Sequence, residues 1–439
     1  MPPSDSAAAD MRPLAAAGDA GAILERLQAH SPKLIYLGLG RVQRLLAALG
    51  HPERRTPPVV HVAGTNGKGS TCAFLRAIGE AAGLSVHVTT SPHLVHVRER
   101  FRLAGRLVDD TMLAATLAEI EAVNAGAPIT VLEALAACAY LLFSRVPAEL
   151  CVVEVGRGGR LDATNVIEAP ACAVITSLSL DHQDFLGDTL EHIASEKAGI
   201  MKPGRPCVTG AHPPGAAAVL ERCAAQVGTR LLVCGRDWRI APHAHGLRYH
   251  DAAGTLDLPL PALLGAHQVD NAGLAVAAMR ASGLGVPDVG WQGLSRAEWP
   301  ARLQHLEGGL ARGLPPDFEL WLDGGHNPGA GTALAHQLEA WSDRPVYLVI
   351  GMTQTKDAGG FLAPLLVGAA GLWAVAEPGQ HLALAVDAII ATSGGRARPG
   401  PDITGALAQV AQLAPGRVLV CGSLYLAGEV LKMDGAEPR

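Results

Sequence analysis

The sequence predicts an α/β fold with two parts. An N-terminal P-loop domain carries a doubly wound, mostly parallel sheet, and a smaller C-terminal α/β domain is Rossmann-like. Three observations predict this. Apolar runs such as Leu150–Val155 and Ala171–Leu178 read as buried strands. Helical patterns alternate with those runs. Glycine-rich turns follow the strand ends, where open α/β sheets bind ligands.

The chain has 439 residues, enough for two or three domains. At 49% hydrophobic it can bury a core, which excludes disorder. Its formal net charge is −6, and no basic block interleaves with aromatics. That argues against nucleic acid as a partner. Eight scattered cysteines without C-x-x-C spacing suit a reduced, cytoplasmic protein. Residues 1–20, rich in Ala, Pro and Asp, read as a flexible extension rather than a secretory signal. No uncharged apolar run is long enough to cross a bilayer, so a membrane partner is not expected. A monomer is expected.

Residues 20–50 are mostly helical in pattern, with an apolar stripe at Leu45, Leu46 and Leu49. Val59–Val62 is a strand, Gly64–Ser70 a glycine turn, and Thr71–Ala82 a helix. This is the layout of a phosphate-binding loop. Gly64, Thr65, Asn66, Gly67, Lys68, Gly69 and Ser70 would cradle phosphates with backbone N–H groups. The match to G-x-x-x-x-G-K-[ST] is imperfect: Val62 stands at the first glycine and Gly69 follows Lys68. Ser85–Thr90 is the next strand, and Ser91, Pro92 and His93 follow at its ligand-binding end. Helices are expected over Asp109–Asn124, Thr130–Arg145, Thr189–Gly199, Pro214–Val227 and Gln268–Ala281. Residues 237–260 suggest short antiparallel strands. The first domain is placed at 21–290, a linker at 291–301 and the second domain at 302–439. In the latter, Glu319–Asp323, Val346–Met352, Leu372–Ala376 and Arg417–Cys421 read as strands.

Polar residues at strand ends carry the chemistry. Ser70, Glu154 and His182 would meet at one sheet edge and could hold Mg²⁺. Glu154 as a structural carboxylate and His182 as a helix cap are the plainer alternatives. Lys197, from spacing alone, reads as a solvent-facing helix charge. Asp323 and His326 flank a glycine turn at the corresponding edge of the second domain. Two such edges could close over ATP and an acceptor and exclude water.

Seven motifs in order now resemble one family. They are VAGTNGKGST (62–71), TSPHLVHVRER (90–100), VEVGRGGRLDATN (153–165), SLDHQDFLGDT (179–189), SEKAGI (195–200), DGGHNPGA (323–330) and GSLYLAGEV (422–430). They are similar to bacterial folylpolyglutamate synthase/dihydrofolate synthases of the Mur ligase superfamily. The resemblance implies an ATP-dependent, ADP-forming amide ligase that joins L-glutamate to dihydropteroate and to tetrahydrofolates through an acyl phosphate. ATP and Mg²⁺ are the implied cofactors. Lys68, Asp323 and His326 are the implied catalytic residues, and Asn271, Arg302, Gly324 and Gly325 join the nucleotide site. Ser70, Glu154 and His182 resemble the metal ligands. Lys197 resembles a lysine that becomes carbamylated, which replaces the reading from spacing. The pterin site is implied at Ile35, Tyr36 and Leu37, at Thr130, Val131, Leu132 and Glu133, and at Leu161, Asp162 and Ala163, with Asp162 as polar anchor. Departures fall at Tyr36, commonly acidic; Leu132, commonly aromatic; Arg157, commonly Leu; and Ala301, commonly Gly. The rival readings are a folylpolyglutamate synthase alone, another Mur-type amino-acid ligase, or a nucleotide switch.

Overall fold

The structure is a computed structural model. It describes residues 19–31, 38–180, 187–436 and 438. The extension expected at residues 1–20 therefore lies almost wholly outside the described residues, as do Ile35, Tyr36, Leu37 and His182.

Among the described residues the first sheet has eight strands: β1 (Val59–Ala63), β2 (Val86–Thr89), β3 (Phe101–Leu103), β4 (Arg106–Leu107), β5 (Leu150–Glu154), β6 (Cys172–Ile175), β7 (Pro206–Thr209) and β8 (Arg230–Val233). Their order is β4-β3-β2-β5-β1-β6-β7-β8. The β2–β3 and β3–β4 pairs are antiparallel and the other neighbours run parallel. Chain order reverses direction at β1, which lies between β5 and β6. That is the switch point at which such sheets bind ligands. Every residue of β1 and β5 is buried, because helices cover both faces. Val60, Val62 and Val152 enter one core; Val59, Cys151 and Val153 enter the core on the other face. The period-two alternation of a strand thus serves two layers.

The 237–260 region forms a three-stranded antiparallel sheet of β9 (Trp238–His243), β10 (Gly246–Asp251) and β11 (Gly254–Pro259). The third sheet has, among the described residues, β12 (Gln304–Leu306), β13 (Glu319–Leu322), β14 (Val346–Ile350), β15 (Gly371–Ala374), β16 (Arg398–Pro399) and β17 (Arg417–Cys421). Its order is β12-β13-β17-β14-β15-β16, and β12 alone of these runs antiparallel to its neighbour. Leu322 and Val420 face one core, Leu419 and Ile350 the other. All eight cysteines are free. Among the described residues no helix is long and apolar enough to cross a membrane.

Several boundaries differ from expectation. Among its described residues the 20–50 region holds two helices, Ala20–Ala29 and Gly40–Ala48. The phosphate-loop helix begins at Lys68, not Thr71, since Gly67 takes the left-handed conformation (φ 82°) that starts it. The hairpin β3–β4 and the helices Ala358–Leu365, Val386–Thr392 and Ile403–Val410 were not anticipated. They are short, and Ala358–Leu365 contains two glycines and a proline. Part of the stretch read as a linker belongs to the first core instead. Trp291, Leu294 and Ala297 are buried there beside Phe74 and Ile78 of the phosphate-loop helix.

Gly293 marks that contact, since a Cβ added to it would lie 2.2 Å from Ala77 O. Gly293→Ala is therefore expected to destabilise the fold by about 1–3 kcal/mol through overpacking. Urea denaturation checks it; an unchanged midpoint would mean that residues 288–297 pack loosely.

Candidate functional site

The phosphate loop is shaped from three sides. A Cβ at Gly64 (φ 154°) would fall 1.7 Å from Thr176 Oγ1, and one at Gly67 would fall 2.3 Å from Asn271 Oδ1. A Cβ at Gly69 would fall 2.7 Å from the indole Nε1 of Trp299. This explains why glycine follows Lys68: Trp299 occupies the place of a side chain. Thr176 Oγ1 donates to Asn66 O (2.6 Å), and Thr65 Oγ1 donates to Ser179 O (3.1 Å). Lys68 Nζ folds back onto the carbonyls of Gly64 (3.1 Å) and Thr65 (3.2 Å).

Lys197 is buried at 3% exposure, and its Nζ donates to Gly64 O at 2.8 Å. The solvent-facing reading drawn from spacing is thus corrected. The helix Leu190–Ala198 turns this side toward the loop, with Ile193, Ala194 and Ala198 in the core around it.

Ser70 is buried, and its Oγ accepts from Gln268 Nε2 (3.3 Å). Gln268 Oε1 in turn accepts from Asn271 Nδ2 (3.0 Å). Gln268 and Trp299 escaped the sequence reading. A Gln-x-x-Asn pair on the first turn of a helix was the available signal for Gln268; for Trp299 there was none.

Glu154 ends β5 beside β1 and is 6% exposed. Burial pushes its carboxyl up, against the opposing pull of Lys68, the Ser91 N–H, Arg302 and Arg100. That N–H donates to Glu154 Oε2 at 3.2 Å, from the residue before the cis Ser91–Pro92 bond. His93 accepts from Arg100 Nε at Nδ1 (2.9 Å); burial and that guanidinium push it down to about 4, so it stays neutral.

The second unit meets this edge directly. Asn66 and Asn327 exchange amide hydrogen bonds of 3.1 and 2.9 Å. Asp323 is buried and accepts from Leu303 N (2.9 Å) and Gly325 N (2.7 Å), which holds the glycine turn. His326 Nδ1 donates to Gly324 O (2.8 Å), which fixes its tautomer. Arg302 stands between Ala301 (φ 54°) and Leu303 (φ 41°), two non-glycine residues in the left-handed region. Such strain costs about 1–3 kcal/mol per residue and persists where surroundings impose it. Ser91, Glu154, Gly69, Trp299 and Arg302 line one cavity of about 680 Å³ between the units.

Of the residues that the resemblance implies for the pterin, the described ones, Thr130–Glu133 and Leu161–Ala163, are absent from the lining of that cavity. Thr130 and Glu133 form a capping box, and Arg41 pairs with Glu133 (2.9 Å). Val131 is half-buried and Leu132 is 48% exposed. Asp162 accepts from Arg157 N (2.7 Å) and Thr164 N (3.0 Å), so both its oxygens hold their own loop, beside half-buried Leu161 and Ala163. Gly156 is the link: a Cβ there would lie 3.3 Å from Asp162 Oδ2 and 3.5 Å from Ser91 Oγ.

The donor set suits a nucleotide and a hard cation. The loop is a glycine cradle, and Ser70 and Glu154 supply oxygen atoms beside it. Asn66→Asp is expected to weaken ATP binding at least about tenfold, since it removes a donor to Asn327 and adds negative charge to the loop. Calorimetry with ATP checks it; unchanged affinity would separate the amide pair from the nucleotide site.

The comparisons agree with this architecture. Residues 62–279 match the Mur ligase middle domain, and residues 314–433 match the dihydrofolate synthetase C-terminal domain. The dihydrofolate synthase/folylpolyglutamate synthase of Escherichia coli is 35% identical over 410 residues, 93% of each chain. The solved structure of E. coli FolC in complex with DHPP and ADP superposes with a TM-score of 0.86 at 34% identity, covering 96% of this chain and 98% of that one. The Yersinia pestis bifunctional enzyme with Mn, AMPPNP and L-glutamate bound gives 0.83 at 32% identity, covering 94% and 98%. The chain belongs to the dihydrofolate synthase/folylpolyglutamate synthase family, built on a Mur ligase middle domain.

Proposed function

We propose that this chain is an ATP-dependent amide ligase. It adds L-glutamate to dihydropteroate, giving dihydrofolate, and to tetrahydrofolates, giving folylpolyglutamates. The observation that carries this is the shared cavity. There Gly69 of the phosphate loop and Glu154 at the end of β5 share one lining with Arg302 and Leu424 of the second unit. The relatives named for both activities support it.

Ser70 and Glu154, with His182 and a carbamylated Lys197, would hold Mg²⁺, which neutralises phosphate charge. Lys68 would release its two loop carbonyls to meet the outer phosphates. Asn271 and Arg302 would bind nucleotide, with Arg302 directed by the strained backbone on either side. Asp323 keeps the turn ordered, and the Nδ1–H bond to Gly324 O leaves His326 Nε2 as the acceptor atom of its ring. Catalysis would rest on positioning and charge neutralisation, since the acyl phosphate needs little else than an aligned amine and a dry cleft. The pterin would lie toward Asp162 and Thr130, with Asp162 acting through its loop. The enzyme would act as a cytoplasmic monomer without nucleic acid.

A ligase releases ADP when both a pterin and glutamate are present. ATP hydrolysis that ignores both substrates would favour a nucleotide switch instead. Turnover with tetrahydrofolate but none with dihydropteroate would leave a folylpolyglutamate synthase alone.

Lys68→Ala is expected to lower kcat for both substrates about a hundredfold to a thousandfold with the fold intact. Less than a tenfold loss at saturating ATP would remove Lys68 from the mechanism.

Lys197→Ala is expected to lose most activity, and acetate should restore part of it by filling the place of a carbamate. Lys197→Arg should not be rescued, because a fixed cation still fills that place. Carbon-13-labelled bicarbonate should give a carbamate resonance in the unsubstituted protein and none in Lys197→Ala. Near-normal activity of Lys197→Ala together with no such resonance would restore a purely structural lysine.

A further inference from the structure

Beyond Ser91 and Glu154 the cavity continues along one face of the phosphate-loop helix. Gly69, Ala73 and Arg76 line it in turn, at the spacing of a single helix face. Arg76 therefore stands about 10 Å along the axis from Gly69. Arg102, on β3, lines the same cavity and also an adjoining open one, together with Arg98 and Arg106. Arg76 Nε is buried without a hydrogen-bond partner. Burial, and next the charge of Arg76, push the Arg102 guanidinium down to about 10. The carboxylates acting on Arg102 are Glu80 and Glu298, both exposed. Glu99, on the same wall, is engaged by the backbone N–H groups of Leu94, Val95 and His96. Two guanidiniums close together in a partly buried channel, one with an orphaned donor, suit an anion.

We propose that Arg76 and Arg102 form a subsite for the carboxylates of an oligo-γ-glutamate tail already present on the substrate. This rests on the ligase reading above. Every round of that reaction adds one carboxylate to the tail. The reacting end must reach Glu154 and Lys68, so the rest of a lengthened substrate leaves along a wall, and this wall is cationic. ATP fits the position less well. Its phosphates belong at the start of the helix, and about 10 Å further on it would present uncharged ribose or base. The cavity lining contains none of Thr130–Glu133 or Leu161–Ala163, so the tail subsite is separate from those two stretches.

The test compares the unmodified enzyme with Arg76→Ala, Arg102→Ala and Arg76→Lys. Substrates are dihydropteroate and tetrahydrofolate carrying three γ-linked glutamates. The alanine variants should raise KM for the triglutamate about tenfold or more and flatten its dependence on salt. Their kcat/KM for dihydropteroate and KM for ATP should stay within about twofold, and Arg76→Lys should keep most of the triglutamate affinity. Equal losses on both folates, a raised KM for ATP, or an unchanged triglutamate KM would each overturn the subsite. Calorimetry with a free γ-linked triglutamate peptide separates the two readings. Binding that disappears in the double alanine variant would support the subsite even if the protein turned over neither folate, in which case the ligase reading fails alone. No binding to the unmodified protein would overturn the subsite.

Discussion

Two ammonium groups converge on one carbonyl, Gly64 O: Lys68 from the loop itself and Lys197 from the helix after β6. Like charges so near each other repel unless an anion or a modification answers them. The loop is built so that neither can drift away. Gly64 is pressed against Thr176, Gly67 against Asn271, and Gly69 against Trp299. Removing a Cβ at each point lets the backbone approach its neighbours. The rest of the site follows from that frame, because Ser70, Glu154 and Asn66 are all placed relative to it.

The second unit is fastened to the same frame by backbone and amide contacts. Asn66 and Asn327 pair across the boundary, and Asn327 Oδ1 also caps the helix Pro328–Ala340 by accepting from Ala330 N. Gly428 of the last helix lies against Leu94 O, where a Cβ would come within 2.1 Å. One amide therefore links the start of a helix in the second unit to the phosphate loop of the first. A shift of either unit would be felt at both. This is the geometry expected where a cleft must close with its groups already aligned.

Most of the first sheet was legible in the sequence, because strands buried on both faces are written as unbroken apolar runs. The phosphate loop was legible for a different reason: its glycines and lysine have no cheaper explanation at a strand end. What stayed hidden depended on tertiary contact. Lys197 lies in a helix whose composition, SEKAG, reads as solvent-facing, and only packing of Ala194 and Ala198 reveals which way it turns. Trp299 lies in a stretch without periodicity, and nothing local says that its ring replaces a side chain at Gly69. The short C-terminal helices lacked enough turns for a periodic signal to emerge.

Acidic residues of the site divide into two kinds, and burial alone does not separate them. Asp162 has both oxygens taken by backbone N–H groups of its own loop, and Asp323 has one taken by Gly325 N of its own turn and the other by Leu303 N of a separate segment. Such carboxylates hold loops in shape and are poor ligands, because a cation would have to displace bonds already made. Glu154 differs: one backbone N–H meets it, while burial raises its carboxyl against the charges of Lys68, Arg302 and Arg100. A carboxylate kept in that balance is ready for a further cation, which would repay the burial that the protein alone leaves uncompensated. The turns supply the shape of the cleft, and Glu154 supplies a buried carboxyl at its edge.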